Sequence, residues 1–279
     1  VVEYVVGNID KTAPAQPIVS VSTEDATNQD VIVSALFAPD SVRNEYQVND
    51  GAWMVYTEAV VMEENGRIVF RSTDEIGNVS ESRYEVVNID KIPPEKPVVS
   101  ANVTELTNQD VVVTAVFDSD AAVREYSLSE GREWFSYEDG VVFESNGTVW
   151  FRASDLAGNV SETAVYEVSN IDRSAPVIQV SGDNAEVSAA SSVTVVAAFT
   201  DETGLRSREY SLDGRTWLAY SGPITVTRNG LLRFRASDLA GNTSETSYLV
   251  SNLAVSTAVQ DGMSVIVKKY NATFAWEKY

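Results

Sequence analysis

Aspartates recur at matched places along the chain. Asp10, Asp90 and Asp172 each close an Asn-Ile-Asp triplet, and Asp74, Asp155 and Asp238 each stand four residues ahead of the asparagine of a Gly-Asn pair. Carboxylates are hard oxygen ligands, and calcium takes about 6 to 8 oxygens. Asp90, Asp172, Asp74, Asp155 and Asp238 are therefore candidate ligands for calcium, provided that acids from adjoining segments meet. No Asp-x-Asp-x-Asp loop is present. A lone Asp before a Gly-Asn turn also has two local uses: it accepts amides of its own turn, or it pairs with the Arg three residues earlier, here Arg71, Arg152 and Arg235.

Aromatic residues recur as well, as Tyr46, Trp53 and Tyr56, then Tyr126, Trp134 and Tyr137, then Tyr210, Trp217 and Tyr220. Such rings could form a platform for sugars, or they could fill the core or rim of a folding unit. Recurrence favours the second use, because every copy of a module needs the same core. Of the sequons in the chain, those at Asn78, Asn159 and Asn242 fall in the repeated Gly-Asn turn, where Asn has a conformational reason to be present, and Asn146 heads another. A Lys–Asn cross-link needs a buried Lys in each unit. Residues 173–253 contain none, and Lys11, Lys91 and Lys96 lie in connectors.

The chain has 279 residues with no His and no Cys. Zinc sites of the usual ligand types, haem, iron–sulfur centres, disulfides, thiol nucleophiles and triads with a histidine base are thereby removed. A glycosidase-type pair needs two acids facing each other across a cleft at about 5 to 10 Å, and nothing in the sequence marks one. The expectation is no enzyme, no catalytic residue and no organic cofactor. The formal charge is −21, so a nucleic acid would be repelled. No apolar run reaches the roughly 20 residues of a membrane helix, and no membrane insertion is expected.

The elements that carry these residues are short strands. Ile68, Phe70 and Ser72 alternate with Arg67, Val69 and Arg71, and the same period of two recurs around Phe151 and Phe234. Turn signals stand between each Tyr and Trp, at Asn49-Asp50-Gly51, Ser129-Glu130-Gly131 and Asp213-Gly214, where glycine is expected to take the positive φ of a hairpin. With the Val-rich runs 31–37, 111–117 and 193–199 this makes about seven strands per copy, as in an immunoglobulin-like sandwich. The Asn-Ile-Asp triplets recur about every 80 residues and are followed by Pro14, Pro93-Pro94 and Pro176, so they read as junctions. The fold class expected is all-β: tandem immunoglobulin-like sandwiches in an extended array. Residues 1–11 read as the last strand of a preceding repeat; 12–91, 92–173 and 174–253 as three repeats; 254–279 as the start of a further, truncated β domain.

The copies are not equivalent. Residues 11–90 carry 5 basic and 14 acidic side chains, 91–172 carry 5 and 15, and 173–253 carry 7 and 8. The third copy also lacks the Thr-Asn-Gln-Asp stretch found at 27–30 and 107–110. Its Arg206, Arg208, Arg228 and Arg233 would suit an acidic partner if they share one face. The first connectors hold several prolines and no glycine, whereas Asp172 to Pro176 holds one proline, so the second joint is expected to bend more freely.

The motifs Phe-Arg-Ala-Ser-Asp-Leu-Ala-Gly-Asn, at 151–159 and again at 234–242, with Asn-Ile-Asp-Lys-Thr-Ala-Pro at 8–14, resemble the tandem bacterial Ig-like repeats of large surface-exposed, adhesin-type proteins. The resemblance covers residues 1–253. It implies a monomeric, non-enzymatic stalk on the cell surface or secreted, presenting a distal binding domain. The alternative is a module that itself binds a host or matrix carbohydrate or protein. The location implied is extracellular.

Overall fold

The computed structural model describes residues 2–3, 7, 9–182, 191–251 and 253, and all its regular elements are strands. The expectation for 254–279 lies outside the described residues. The chain divides into two compact units, residues 1–100, 113–141 and 148–167 in one and 101–112, 142–147 and 168–279 in the other.

In the first unit, seven strands follow one another: β1 (Ile18–Val21), β2 (Val31–Leu36), β3 (Arg43–Val48), β4 (Met54–Val55), β5 (Val60–Met62), β6 (Gly66–Thr73) and β7 (Val79–Val86). They form a three-stranded sheet, β1-β2-β5, and a four-stranded sheet, β4-β3-β6-β7. The two-residue period aims Ile68, Phe70 and Val86 at Val31, Val33 and Met62, and these residues form the buried core. The next seven strands are β8 (Val98–Ala101), β9 (Val111–Val116), β10 (Val123–Ser127), β11 (Phe135–Ser136), β12 (Val141–Phe143), β13 (Gly147–Ser154) and β14 (Ala164–Val168). Their sheet orders are β12-β9-β8 and β11-β10-β13-β14.

The second unit holds the last seven: β15 (Val177–Gly182), β16 (Val193–Thr200), β17 (Leu205–Ser211), β18 (Leu218–Ala219), β19 (Ile224–Val226), β20 (Gly230–Asp238) and β21 (Thr243–Val250). The orders are β15-β16-β19 and β18-β17-β20-β21. Val193, Val195, Leu232, Phe234 and Val250 fill its core.

The recurrent aromatics go three ways. Tyr56, Tyr137 and Tyr220 reach across the core and accept the amides of Ala35, Ala115 and Ala197 at 3.1, 3.0 and 2.8 Å. Tyr46, Tyr126 and Tyr210 are half-buried rather than fully enclosed, while Phe70, Phe151 and Phe234 are completely buried. The tryptophans do not fill the core: Arg71, Arg152 and Arg235 stack on Trp53, Trp134 and Trp217 at 3.8, 4.1 and 4.2 Å. Each of these arginines also pairs with a glutamate on the neighbouring strand, Glu45, Glu125 or Glu209. In the first sandwich the stack closes over Glu45, which is only 2% exposed.

The hairpin turns depart from expectation in one copy. Positive φ falls on Asn49 and Asp50 in the first turn, not on Gly51, whereas Glu130 and Gly131 take it in the second and Gly214 in the third. Asn and Asp tolerate this region because their short polar side chains can bond locally.

Candidate functional site

The acids predicted from sequence meet at two places, one in each compact unit. Asp90, Asp120 and Asp155 bring carboxylate oxygens within 4.8 Å of one another, and Asp172, Asp201 and Asp238 do the same. Asp90 and Asp172 lie in the connectors, Asp155 and Asp238 precede the Gly-Asn turns, and Asp120 and Asp201 come from the loops that follow β9 and β16. The sequence reading missed these last two, although both follow Phe117 or Phe199 by two or three residues. Asp74 belongs to neither group. It accepts the amides of Ile76, Gly77 and Asn78 and the Asn78 side chain, which hold its carboxyl below the usual range. Arg71 is not its partner, being committed to Glu45.

Gly77, Gly158 and Gly241 have φ of 98°, 91° and 99°, the left-handed region that closes each turn onto its Asp. The asparagine that follows looks the other way. Asn159 donates its side-chain amide to the Asp90 carbonyl at 2.9 Å, and Asn242 donates to the Asp172 carbonyl at 2.9 Å. In the first joint the Asn28 amide also donates to the Ala157 carbonyl at 3.1 Å.

The electrostatics of the two groups differ. Desolvation by the neighbouring chain, then repulsion from Asp155, Asp90 and Asp118, raises the carboxyl of the exposed Asp120 above the ordinary range. Burial opposes ionisation of Asp155, but the Asn159 side chain and the amides of Asn159, Gly158 and Ala157 outweigh it and lower its pKa. At the second joint the Thr203 hydroxyl lies 2.6 Å from Asp172 Oδ2 and 2.9 Å from Asp201 Oδ1. That hydroxyl and the Ser174 amide lower the Asp172 pKa. Among the described residues no ion pair reaches any of the six acids, because the adjacent cations are used elsewhere: Lys91 on Asp30 and Arg173 on Asp110. Three hard oxygen donors with uncompensated charge fit a divalent cation such as calcium.

Other candidate chemistry is already committed. A groove on the outer face of β17, β20 and β21 contains Glu209 and Glu245, but Arg235 pairs with the first at 2.7 Å and Arg233 with the second at 3.4 Å. Arg206, Arg208, Arg228 and Arg233 do not share a face. Arg208 lies opposite Ala236 and Arg233 opposite Ser211, on opposite sides of one sheet. Arg206 donates to the Leu239 carbonyl just past the end of β20, whereas Arg228 precedes its start.

Paired three- and four-stranded antiparallel sheets repeated along one chain define the class: a tandem of immunoglobulin-like β-sandwiches. No protein-family model and no curated protein matches the chain. Among solved structures, one similar to it concerns host-cell-surface retention of a 1.5-MDa bacterial ice-binding adhesin, at 13% identity and TM-score 0.45, covering 86% of this chain and 98% of that one. A second is a Ca2+-stabilised adhesin with which an Antarctic bacterium binds ice, at 16% identity and TM-score 0.45, covering 86% and 74%. A third is a tetra-tandem repeat from the extending region of a large adhesion protein, at 15% identity and TM-score 0.24, covering 87% and 74%. Among the described residues no helix is long and apolar enough to cross a membrane.

Proposed function

We propose that this chain is a non-enzymatic spacer of an adhesin-like protein, on a bacterial surface or secreted, that holds a binding domain away from its anchor. The observation that carries this reading is that one joint is built twice: a side-chain amide from the turn of one sandwich meets the carbonyl of the junction Asp, at 2.9 Å in both cases. A spacer needs the relation between neighbours reproduced from joint to joint. Buried Pro94 and Pro97 in the first connector, with no glycine, support the same reading by restricting the backbone.

Calcium is part of the proposal. Asp90, Asp120 and Asp155 would hold one ion, and Asp172, Asp201 and Asp238 another. The ion would supply the positive charge that each group lacks and tie the connector to the sandwich that follows.

Small-angle scattering on the full chain tests the spacer reading. Replacing Pro93, Pro94 and Pro97 by glycine should shorten the maximum dimension and broaden the distance distribution. A profile unmoved by the three substitutions would sink it. Calorimetry with calcium, and with magnesium as control, tests the ion separately.

A further inference from the structure

The Thr-Asn-Gln-Asp stretch has a structural role that its polar composition alone does not reveal. Thr27 pairs with Ile89 in a parallel bridge: its amide donates to the Asn88 carbonyl at 2.9 Å and its carbonyl accepts the Asp90 amide at 2.9 Å. Thr107 does the same with Ile171, Asn170 and Asp172. Asp30 and Asp110 take the basic residue of the connector, Lys91 or Arg173. The asparagine between faces the following sandwich. Asn28 donates its amide to the Ala157 carbonyl, its side-chain nitrogen lies 3.8 Å from where a Cβ on Gly158 would stand, and Asn108 lies 3.6 Å from the same point on Gly241. The stretch therefore clamps the exit of its own sandwich and presents one residue to the Gly-Asn turn of the next.

Each sandwich thus has a presenting end and a receiving end. The third copy has the receiving turn, Leu239 to Asn242, but reads Ala-Ala-Ser-Ser at 189–192, ahead of Val193, and Leu253-Ala254-Val255 where the earlier copies have Ile-Asp and a basic residue. Both members of the Asp–cation lock are missing together. The first copy shows the reverse. Its receiving turn is formed, Asn78 donates to the Asp10 and Thr12 carbonyls at 3.4 and 3.3 Å, and the Thr12 amide donates to Asp10 Oδ1 as Ile92 and Ser174 do to Asp90 and Asp172. Yet Ile76, at the place where Ala240 is 8% exposed, is 64% exposed. Ile9 is 67% exposed where Ile89 and Ile171 are 8%.

We infer that the turn Asp74–Asn78 of the first sandwich is the receiving half of a third such joint, and that its partner is a sandwich of this same kind bearing Thr-Asn-Gln-Asp and closed by residues 1–11. The third sandwich, lacking that stretch, cannot present itself to another copy in this way. This inference does not rest on the spacer reading.

The test extends the intact chain by placing a copy of residues 12–80 directly ahead of Val1, so that residues 1–11 take the place of 81–91. Amide hydrogen exchange is followed at Ile9, which reports folding of the added sandwich, and across Asp74–Asn78, which reports docking. Exchange in the turn should slow about tenfold, and should not slow when the copied stretch is Ala-Ala-Ser-Ser. A turn left unslowed while Ile9 is protected, or slowed equally by both extensions, would overturn the inference. If Ile9 stays unprotected, the existing joint decides. Asn28→Pro removes the amide that reaches Ala157 and should speed exchange across Asp155–Asn159 several-fold with β13 unchanged, and an unchanged turn would count against the inference.

Discussion

The two joints use the same parts and balance their charge differently. In the first, Asp120 is crowded by Asp155, Asp90 and Asp118, with no hydrogen-bond donor to its carboxyl among the described residues, and its pKa rises. In the second, the Thr203 hydroxyl lies against both Asp172 and Asp201 and Asp172 moves down. The backbone divides the same way. The first connector is stiffened by Pro94 and Pro97, and β8 spans only Val98–Ala101. In the third sandwich β15 begins at Val177, directly after Pro176, and forms six pairs with β16. A second proline would remove a ladder donor there. The second joint has fewer prolines but a six-pair strand pairing and a hydroxyl across its acids, so the proline count is one of several features that bear on how it bends.

Breaking a receiving sandwich should have the largest effect. Phe234→Ala should cost about 3–5 kcal/mol and unfold the third sandwich while exchange protection in β2 and β6 persists; a single concerted melt would show that the copies are not independent. Calcium comes next. Asp120→Asn should raise the joint's stability without calcium and weaken calcium binding about tenfold, read by calorimetry, whereas equal calcium stabilisation of wild type and variant would remove the ion from the first joint. Thr203→Val should cost roughly 1–2 kcal/mol and make the second joint depend on calcium as strongly as the first, seen as a larger calcium-induced shift in melting temperature.

A pH titration needs a control outside the joints, and Asp213 supplies one. Amides of Thr216 and Arg215, with the Thr216 hydroxyl, hold its carboxyl far below the usual range. A depressed folded pKa adds stability above the unfolded value, and that stability is lost as pH falls below about 4. Asp213→Asn should therefore lower third-sandwich stability at neutral pH and flatten its acid limb, as followed by denaturant unfolding. The smallest effect is expected at Ser244, whose buried hydroxyl has no partner among the described residues. Ser244→Ala should be neutral or slightly stabilising, whereas Ser80→Ala, which loses bonds to Ser72 and the Ala15 carbonyl, should cost about 1 kcal/mol.

The strands were legible because a half-buried strand repeats every two residues, and the run from Ile68 to Ser72 shows that period plainly. The turns at Gly77, Gly158 and Gly241 were legible because few residues other than Gly occupy their φ. Asp120 and Asp201 were not, because their loop differs in length: Phe117 precedes Glu125 by eight residues but Phe199 precedes Glu209 by ten. The tryptophans could be placed only in the core or at its rim, because they lie outside the alternating runs, so no period assigns them a face. Asn65, Asn146 and Asn229 escaped notice as clamps. Each donates to, or accepts from, a residue some 24 or 25 positions away, Ile89, Ile171 or Leu253, and no local pattern encodes such a partner.

Those clamps determine how a sandwich would answer tension. A pull transmitted along the chain leaves the first copy through Ile89, which is gripped at both its amide and its carbonyl by Asn65 and flanked by the bridge to Thr27. Asn88 holds the Thr23 and Asp25 carbonyls, and Lys91 holds Asp30 and the Glu63 carbonyl. These bonds join the same short segment to several loops, so a load meets them side by side and must rupture them together before β7 can peel from β6. Bonds strained in parallel share the force, whereas bonds met one after another fail singly.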